Sequence, residues 1–167
     1  MNYSFRSFTK NINPKWKSKS RIFGQIIEEW FASNINCDCG GIFDLQKVNQ
    51  TSYDAVCKFC GKKVQIKSSN KLYRPRKDET LQILGSEYQT TLSSIKNQEA
   101  WDLFLISYDK TFQEVVMILK IDSQFINPEC VIPRKPLGIN ARRAGWQGCY
   151  LKFNWIDIKK IYEKSTI

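Results

Sequence analysis

The sequence predicts an α/β (α+β) protein, a mixed sheet flanked by helices with a four-cysteine zinc site embedded in it. Three observations carry this: a helical apolar period over residues 18–33, several runs with strand character, and two cysteine pairs separated by a short segment. At 167 residues with 42% hydrophobic content, the chain has enough apolar material to bury a core as one domain.

In residues 18–33, Ile22, Phe23, Ile26, Ile27, Trp30 and Phe31 recur at helical spacing and form one apolar face, which suits packing on a sheet. Glu28 and Glu29 lie in the same helix, and Glu28 is positioned to approach a metal as an additional carboxylate. Solvated helix charge is the more common fate of such residues. Further along, residues 86–95 read as a helix opened by a Ser-Glu start signal. Residues 101–108 and 114–121 are β-branched, apolar runs divided by a short polar turn, the pattern of two neighbouring strands. Residues 154–164 read as a last helix, with Asn154 or Asp157 near its start. Residues 1–17 form a basic N-terminal arm, either touching a polyanion or unstructured, and residues 18–167 form the domain proper.

The charge balance narrows the partner. Lys and Arg number 26 against 16 Asp and Glu, a formal charge of +10, so a polyanion is the expected partner and nucleic acid the leading candidate. No stretch reaches the ~18 apolar residues of a spanning helix, and no signal peptide opens the chain. A soluble, cytoplasmic bacterial protein without a membrane partner is expected.

The chain contains no histidine. Serine and cysteine hydrolase triads, histidine-based nuclease sites and His-Glu zinc hydrolases are therefore excluded. Carboxylates, amides and lysines remain for any hydrolytic work, an inventory that suits Mg2+ chemistry.

Cys37 and Cys39 form one pair and Cys57 and Cys60 another, each followed by glycine. Such turns let both thiolates of a pair face a tetrahedral ion, so residues 37–61 read as two zinc knuckles sharing one Zn2+. Two disulfides are the competing reading, and the absence of a secretion signal favours metal. Four thiolates with one Zn2+ lower the formal charge of +10 by two, to +8. Cys130 and Cys149 read as small buried hydrophobes.

Within residues 52–67 (SYDAVCKFCGKKVQIK) the second half alternates, Val64 and Ile66 to one side and Gln65 and Lys67 to the other. The cysteine turn folds Asp54 back beside Gln65 and Lys67. A carboxylate and a second oxygen ligand can hold Mg2+ there while the lysine positions an attacking water, the set needed for phosphodiester hydrolysis. By itself the pattern also fits any polar strand face.

These residues, together with IEEW at 27–30, QIKS at 65–68, GSEYQT at 85–90, LFLISY at 103–108 and RKPLGINARRAGWQGC at 134–149, resemble the catalytic domain of the DpnI-like (Dam-replacing) restriction endonucleases. The match in order and spacing runs from about residue 18 to about residue 158. The resemblance implies a restriction-endonuclease-like PD-(D/E)XK core and a structural Zn2+ held by Cys37, Cys39, Cys57 and Cys60. It also implies catalytic Mg2+ held by Asp54 and Gln65 with Lys67 beside them, and Glu28 joins the catalytic set from its place in the helix. The implied activity is type II restriction cleavage of double-stranded DNA at a short adenine-methylated, GATC-like site. Gln65 stands where the family has an acid, as in the Q-x-K variant of Mrr-like nucleases. No winged helix follows the catalytic region, so recognition is expected to rest on this domain, on a homodimer or on a separate DNA-reading partner.

Lys135, Arg142, Arg143 and Trp146 are the expected DNA contacts: guanidinium groups suit guanine edges or phosphates, and an indole between Gly145 and Gly148 suits a methyl group. Core packing of Trp146 is the competing reading. Lys71 to Lys77, with Tyr73 among the charges, is a basic loop that suits phosphate contact or solvated linker. Two other functions fit the same inventory: a catalytically impaired zinc-containing protein that reads methylated DNA, and a zinc-ribbon RNA-binding module.

Overall fold

The computed structural model describes residues 1–11, 19–46, 53–97 and 100–165. It is a mixed α+β structure that divides into two compact units. The first comprises Met1–Tyr73, Trp101–Lys120 and Lys159–Ile167; the second comprises Arg74–Ala100 and Ile121–Ile158. Among the described residues no helix is long and apolar enough to cross a membrane.

In the first unit, α1 (Lys19–Asn34) buries Ile26, Ile27, Trp30 and Phe31. Its apolar period is the one the sequence displays. The sheet contains β1 (Phe43–Leu45), β2 (Ala55–Cys57), β3 (Lys63–Ser69), β5 (Trp101–Asp109), β6 (Glu114–Ile121) and β9 (Lys159–Glu163), in that spatial order. β1, β2 and β3 pair antiparallel, whereas β3 and β5 pair parallel with Gln65 opposite Leu103 and Lys67 opposite Leu105. A parallel pair needs a long crossover. The chain makes it through Arg74–Ala100, the first segment of the second unit.

β5 is buried from Trp101 through Tyr108, as a central strand covered on both faces must be. Ile26, Ile27, Trp30 and Phe31 of α1 join Val64, Ile66, Phe104, Ile106, Val115 and Ile118 in one core. Complete burial of side chains of this size stabilises by roughly 1.5–3 kcal/mol each.

Two expectations are corrected. Residues 1–11 belong to the first unit: Phe5 is fully buried, the Trp30 indole N–H donates to the Asn2 carbonyl at 2.9 Å, and Ser4 bridges Glu114. An aromatic that fills the core outweighs the local basic charge. Residues 12–18, the rest of the expected arm, lie outside the described residues. The expected helix over 154–164 is instead a short 3-10 turn, Trp155–Asp157, followed by β9. β9 pairs antiparallel with β6, and Tyr162 stacks on Tyr3 with ring centroids 3.6 Å apart. The helical spacing of Trp155, Ile158 and Ile161 lost to the backbone groups β6 offers at its edge.

The second unit holds a three-stranded antiparallel sheet in the order β4 (Thr80–Glu87), β8 (Gly148–Asn154), β7 (Val131–Pro133). Helix α2 (Tyr88–Lys96) starts two residues later than the expected 86, because Ser86 and Glu87 end β4, and the Glu87 carboxylate caps it by accepting from the N–H groups of Gln89 and Thr90. Cys130 and Cys149 are buried, as expected of small apolar residues.

Candidate functional site

The two cysteine turns are built alike. Gly40 donates its N–H to the Cys37 carbonyl at 2.8 Å, and Gly61 donates to the Cys57 carbonyl at 3.0 Å. Both glycines have positive φ, 84° and 74°, a conformation other residues rarely adopt. Gly41 is required for a different reason: a Cβ there would lie 2.7 Å from the Cys57 Sγ.

The four sulfurs lie within 4.8 Å of one another. Cys37 and Cys60 are 3.6 Å apart, Cys39 and Cys57 3.5 Å apart. A Zn–S bond of about 2.3 Å in a tetrahedron gives an edge of about 3.8 Å, close to these separations, whereas a disulfide needs about 2.05 Å. All four thiols are free, and the cluster can hold a metal such as zinc. The Cys60 backbone N–H, aided by that of Phe59, pulls the Cys57 thiol down to about 6, while burial pushes Cys37 up to about 12.

A second set of charges ties this turn to the sheet. Asp38, the residue between the first two cysteines, receives the Lys120 ammonium at 2.8 Å and that of Lys62 at 3.3 Å. Both lysines also reach Asp102, Lys120 at 3.3 Å and Lys62 at 3.4 Å. The side chains of Asp102 and Lys120 are 3% and 6% exposed, so each needs opposite charge beside it. The hydrogen bond from Lys120 holds the Asp38 carboxyl below the usual range.

β2 and β3 carry the predicted hairpin. Val64 and Ile66 are buried while Gln65 and Lys67 are half-buried on the opposite face. Asp54 immediately precedes β2; its N–H donates to the Val64 carbonyl at 2.8 Å, and its carboxylate accepts from the Ile66 N–H at 2.6 Å. The Asp54 carboxylate is thus fixed against the Gln-x-Lys segment. Burial raises its pKa, opposed by the Ile66 N–H and by Lys67.

Glu28 on α1 joins the same group. Its carboxyl is pushed up to about 7, first by burial and then by repulsion from Asp54, with Lys67 opposing. Two half-buried carboxylates that repel one another beside a lysine make a site where a hard cation relieves an unfavourable charge. The amide oxygen of Gln65 is the neutral donor available on the same strand.

In the second unit, the predicted DNA-contacting residues share one loop between β7 and β8. Its base is closed by Arg134 N–H to the Gly148 carbonyl and by the Gln147 side chain to the Arg134 carbonyl. Higher up, Leu137 donates to the Trp146 carbonyl and Gly145 to the Leu137 carbonyl. Lys135, Arg142 and Arg143 are exposed. Trp146 is half-buried, its ring 4.4 Å from the Arg143 guanidinium and seated over Gly148, where a Cβ would come within 2.8 Å of the ring. Gly148 therefore makes room for the indole, and the loop is hydrogen-bonded rather than freely flexible. Arg134 lies over the Tyr150 ring at 5.3 Å.

The basic loop after β3 is also anchored. The buried Ser107 hydroxyl donates to the Lys71 carbonyl at 3.0 Å and accepts from the Tyr73 N–H at 3.4 Å.

A family model described as DpnI, the Dam-replacing family, matches residues 1–167, the whole chain.

Proposed function

The chain belongs to the Dam-replacing (DpnI) family, and from that membership we propose a Mg2+-dependent type II restriction endonuclease with a PD-(D/E)XK core. It hydrolyses phosphodiester bonds of double-stranded DNA at a short adenine-methylated, GATC-like site. The observation that carries the reading is the convergence of Glu28, Asp54 and Lys67 on the β2–β3 hairpin, with Asp54 fixed by the Ile66 N–H.

In this reading Asp54, Gln65 and Glu28 hold the Mg2+, which when bound neutralises charge on the scissile phosphate and lowers the pKa of water. Lys67 orients the attacking water and stabilises negative charge developing beside it. Cys37, Cys39, Cys57 and Cys60 hold a structural Zn2+ that fixes the turn between Asp54 and Lys67. Lys135, Arg142 and Arg143 contact DNA, and Trp146 supplies apolar surface to a methylated adenine. A homodimer or a separate DNA-reading partner completes recognition.

Plasmid prepared from adenine-methylating and non-methylating hosts, incubated with the protein and Mg2+, tests the reading directly. Cleavage of only the methylated plasmid is expected. A second reading, a methylated-DNA binder that does not cut, is favoured by one observation, the neutral Gln65 at an acid's position. Binding without cleavage at any Mg2+ concentration would select it.

A further inference from the structure

The β7–β8 loop ends in a feature that turn chemistry does not explain. Ala141 donates its N–H to the Gly138 carbonyl at 3.0 Å, closing a four-residue turn with Ile139 and Asn140 at its centre. Central turn positions favour glycine, proline, asparagine, aspartate and serine, each for a local backbone reason. Ile139 offers none of these, yet it is 91% exposed, while Trp146 in the same loop is half-covered by its own neighbours.

The surroundings say what kind of surface this side chain meets. Between Pro133 and Gly148 the sequence has no carboxylate, but it has Arg134, Lys135, Arg142 and Arg143. Such a segment is matched to a polyanion, and the only apolar groups that project into a DNA major groove are methyl groups on base edges. A protruding aliphatic at the tip of a cationic, hydrogen-bonded loop therefore fits a groove better than it fits a protein surface, which would add carboxylates to complement the arginines.

We propose that Ile139 is a specificity-determining residue, packing its side chain against a base methyl group in the major groove. This rests on the DNA-cleaving reading above and adds a residue to it. The shared chemistry is a methyl on a base edge, from N6-methyladenine or from thymine. Ile139 contributes apolar contact while Arg142 and Arg143 contribute charge, so the two kinds of residue separate experimentally.

The test uses the full zinc-loaded chain without magnesium, at fixed salt, binding four matched duplexes: adenine-methylated, unmethylated, methylated with deoxyuridine for thymine, and lacking both methyls. Ile139→Ala is expected to weaken binding about fourfold per methyl contacted, the factor for one buried carbon. The duplex without either methyl should show no loss. Disappearance of the loss on unmethylated DNA identifies N6-methyladenine; disappearance on the deoxyuridine duplex identifies thymine. The salt dependence of binding should not change, because an apolar contact releases no counterions. Equal loss on all four duplexes, or none on any, overturns the proposal. The double variant Arg142→Ala/Arg143→Ala marks the underlying reading: it should weaken binding on every duplex and flatten the salt dependence. If it does so while Ile139→Ala has no effect, only the Ile139 assignment falls; if the wild-type chain binds none of the duplexes, both fall.

Discussion

The backbone N–H of Ile66 donates to the Asp54 carboxylate at 2.6 Å, locking the acid that precedes β2 to the residue between Gln65 and Lys67. The bond uses one carboxylate oxygen and leaves the other for a cation. Asp54→Ala and Lys67→Ala should each lower cleavage by about 10²–10⁴-fold, the range for removing a group that acts on the reacting atoms. Binding to the duplex should persist, since neither residue lies in the cationic loop. Full cleavage by Asp54→Ala would place the active site elsewhere.

Gln65→Glu restores a carboxylate where the strand now has an amide. Ligand charge tunes affinity for divalent ions, so the Mg2+ midpoint for cleavage should fall by roughly tenfold. A Mg2+ titration of both proteins on methylated plasmid reads this, and an unchanged midpoint would remove Gln65 from the metal.

One zinc per chain is expected by elemental analysis, and Cys57→Ser should lose both the metal and the cooperative melting of the wild type. Gly41→Ala should weaken zinc retention, because its Cβ would crowd the Cys57 Sγ and the Phe59 Cβ, each at 2.7 Å. Gly24→Ala is the control: it sits in α1 with nothing within 4 Å, and should stabilise by about 0.5–1 kcal/mol. Native melting in Cys57→Ser would rule out a structural metal.

Asp102→Ala should destabilise by about 1.5–3 kcal/mol in denaturant unfolding, because the buried Lys120 ammonium loses its buried carboxylate and keeps only the exposed Asp38. The double change Asp102→Leu/Lys120→Met should recover much of that loss, as replacing both charges leaves neither stranded. A double variant no better than Asp102→Ala would show that the network with Asp38 and Lys62 matters more than this pair.

Much of this arrangement is legible in the sequence where the signal is local. The helix expected over 18–33 is found at Lys19–Asn34, and the strand over 114–121 is Glu114–Ile121, because apolar period alone defines each. The alternation through Val64, Gln65, Ile66 and Lys67 also survives folding. The last strand is not legible: Trp155, Ile158 and Ile161 carry a helical spacing, and only the partner strand β6 and the ring of Tyr3 decide otherwise. The ionic group of Asp38, Lys62, Asp102 and Lys120 is equally hidden, since its members meet through the parallel register of β3 and β5 and the return of β6. Glu28 was readable as a carboxylate on the right helix, but its proximity to Asp54 and Lys67 comes from the packing of that helix. The exposure of Ile139 at the tip of its turn is likewise set by the folded loop.

The place of β9 has a consequence for biosynthesis. One of the two outer strands of the six-stranded sheet is Lys159–Glu163, so a nascent chain translated only as far as Ile158 presents β6 as an open edge beside Val115, Met117 and Leu119. Unpaired apolar edges recruit other strands. The cysteine turns and the Asp54–Lys67 hairpin precede β9 in the chain, so they are synthesised before the strand that closes the β6 edge.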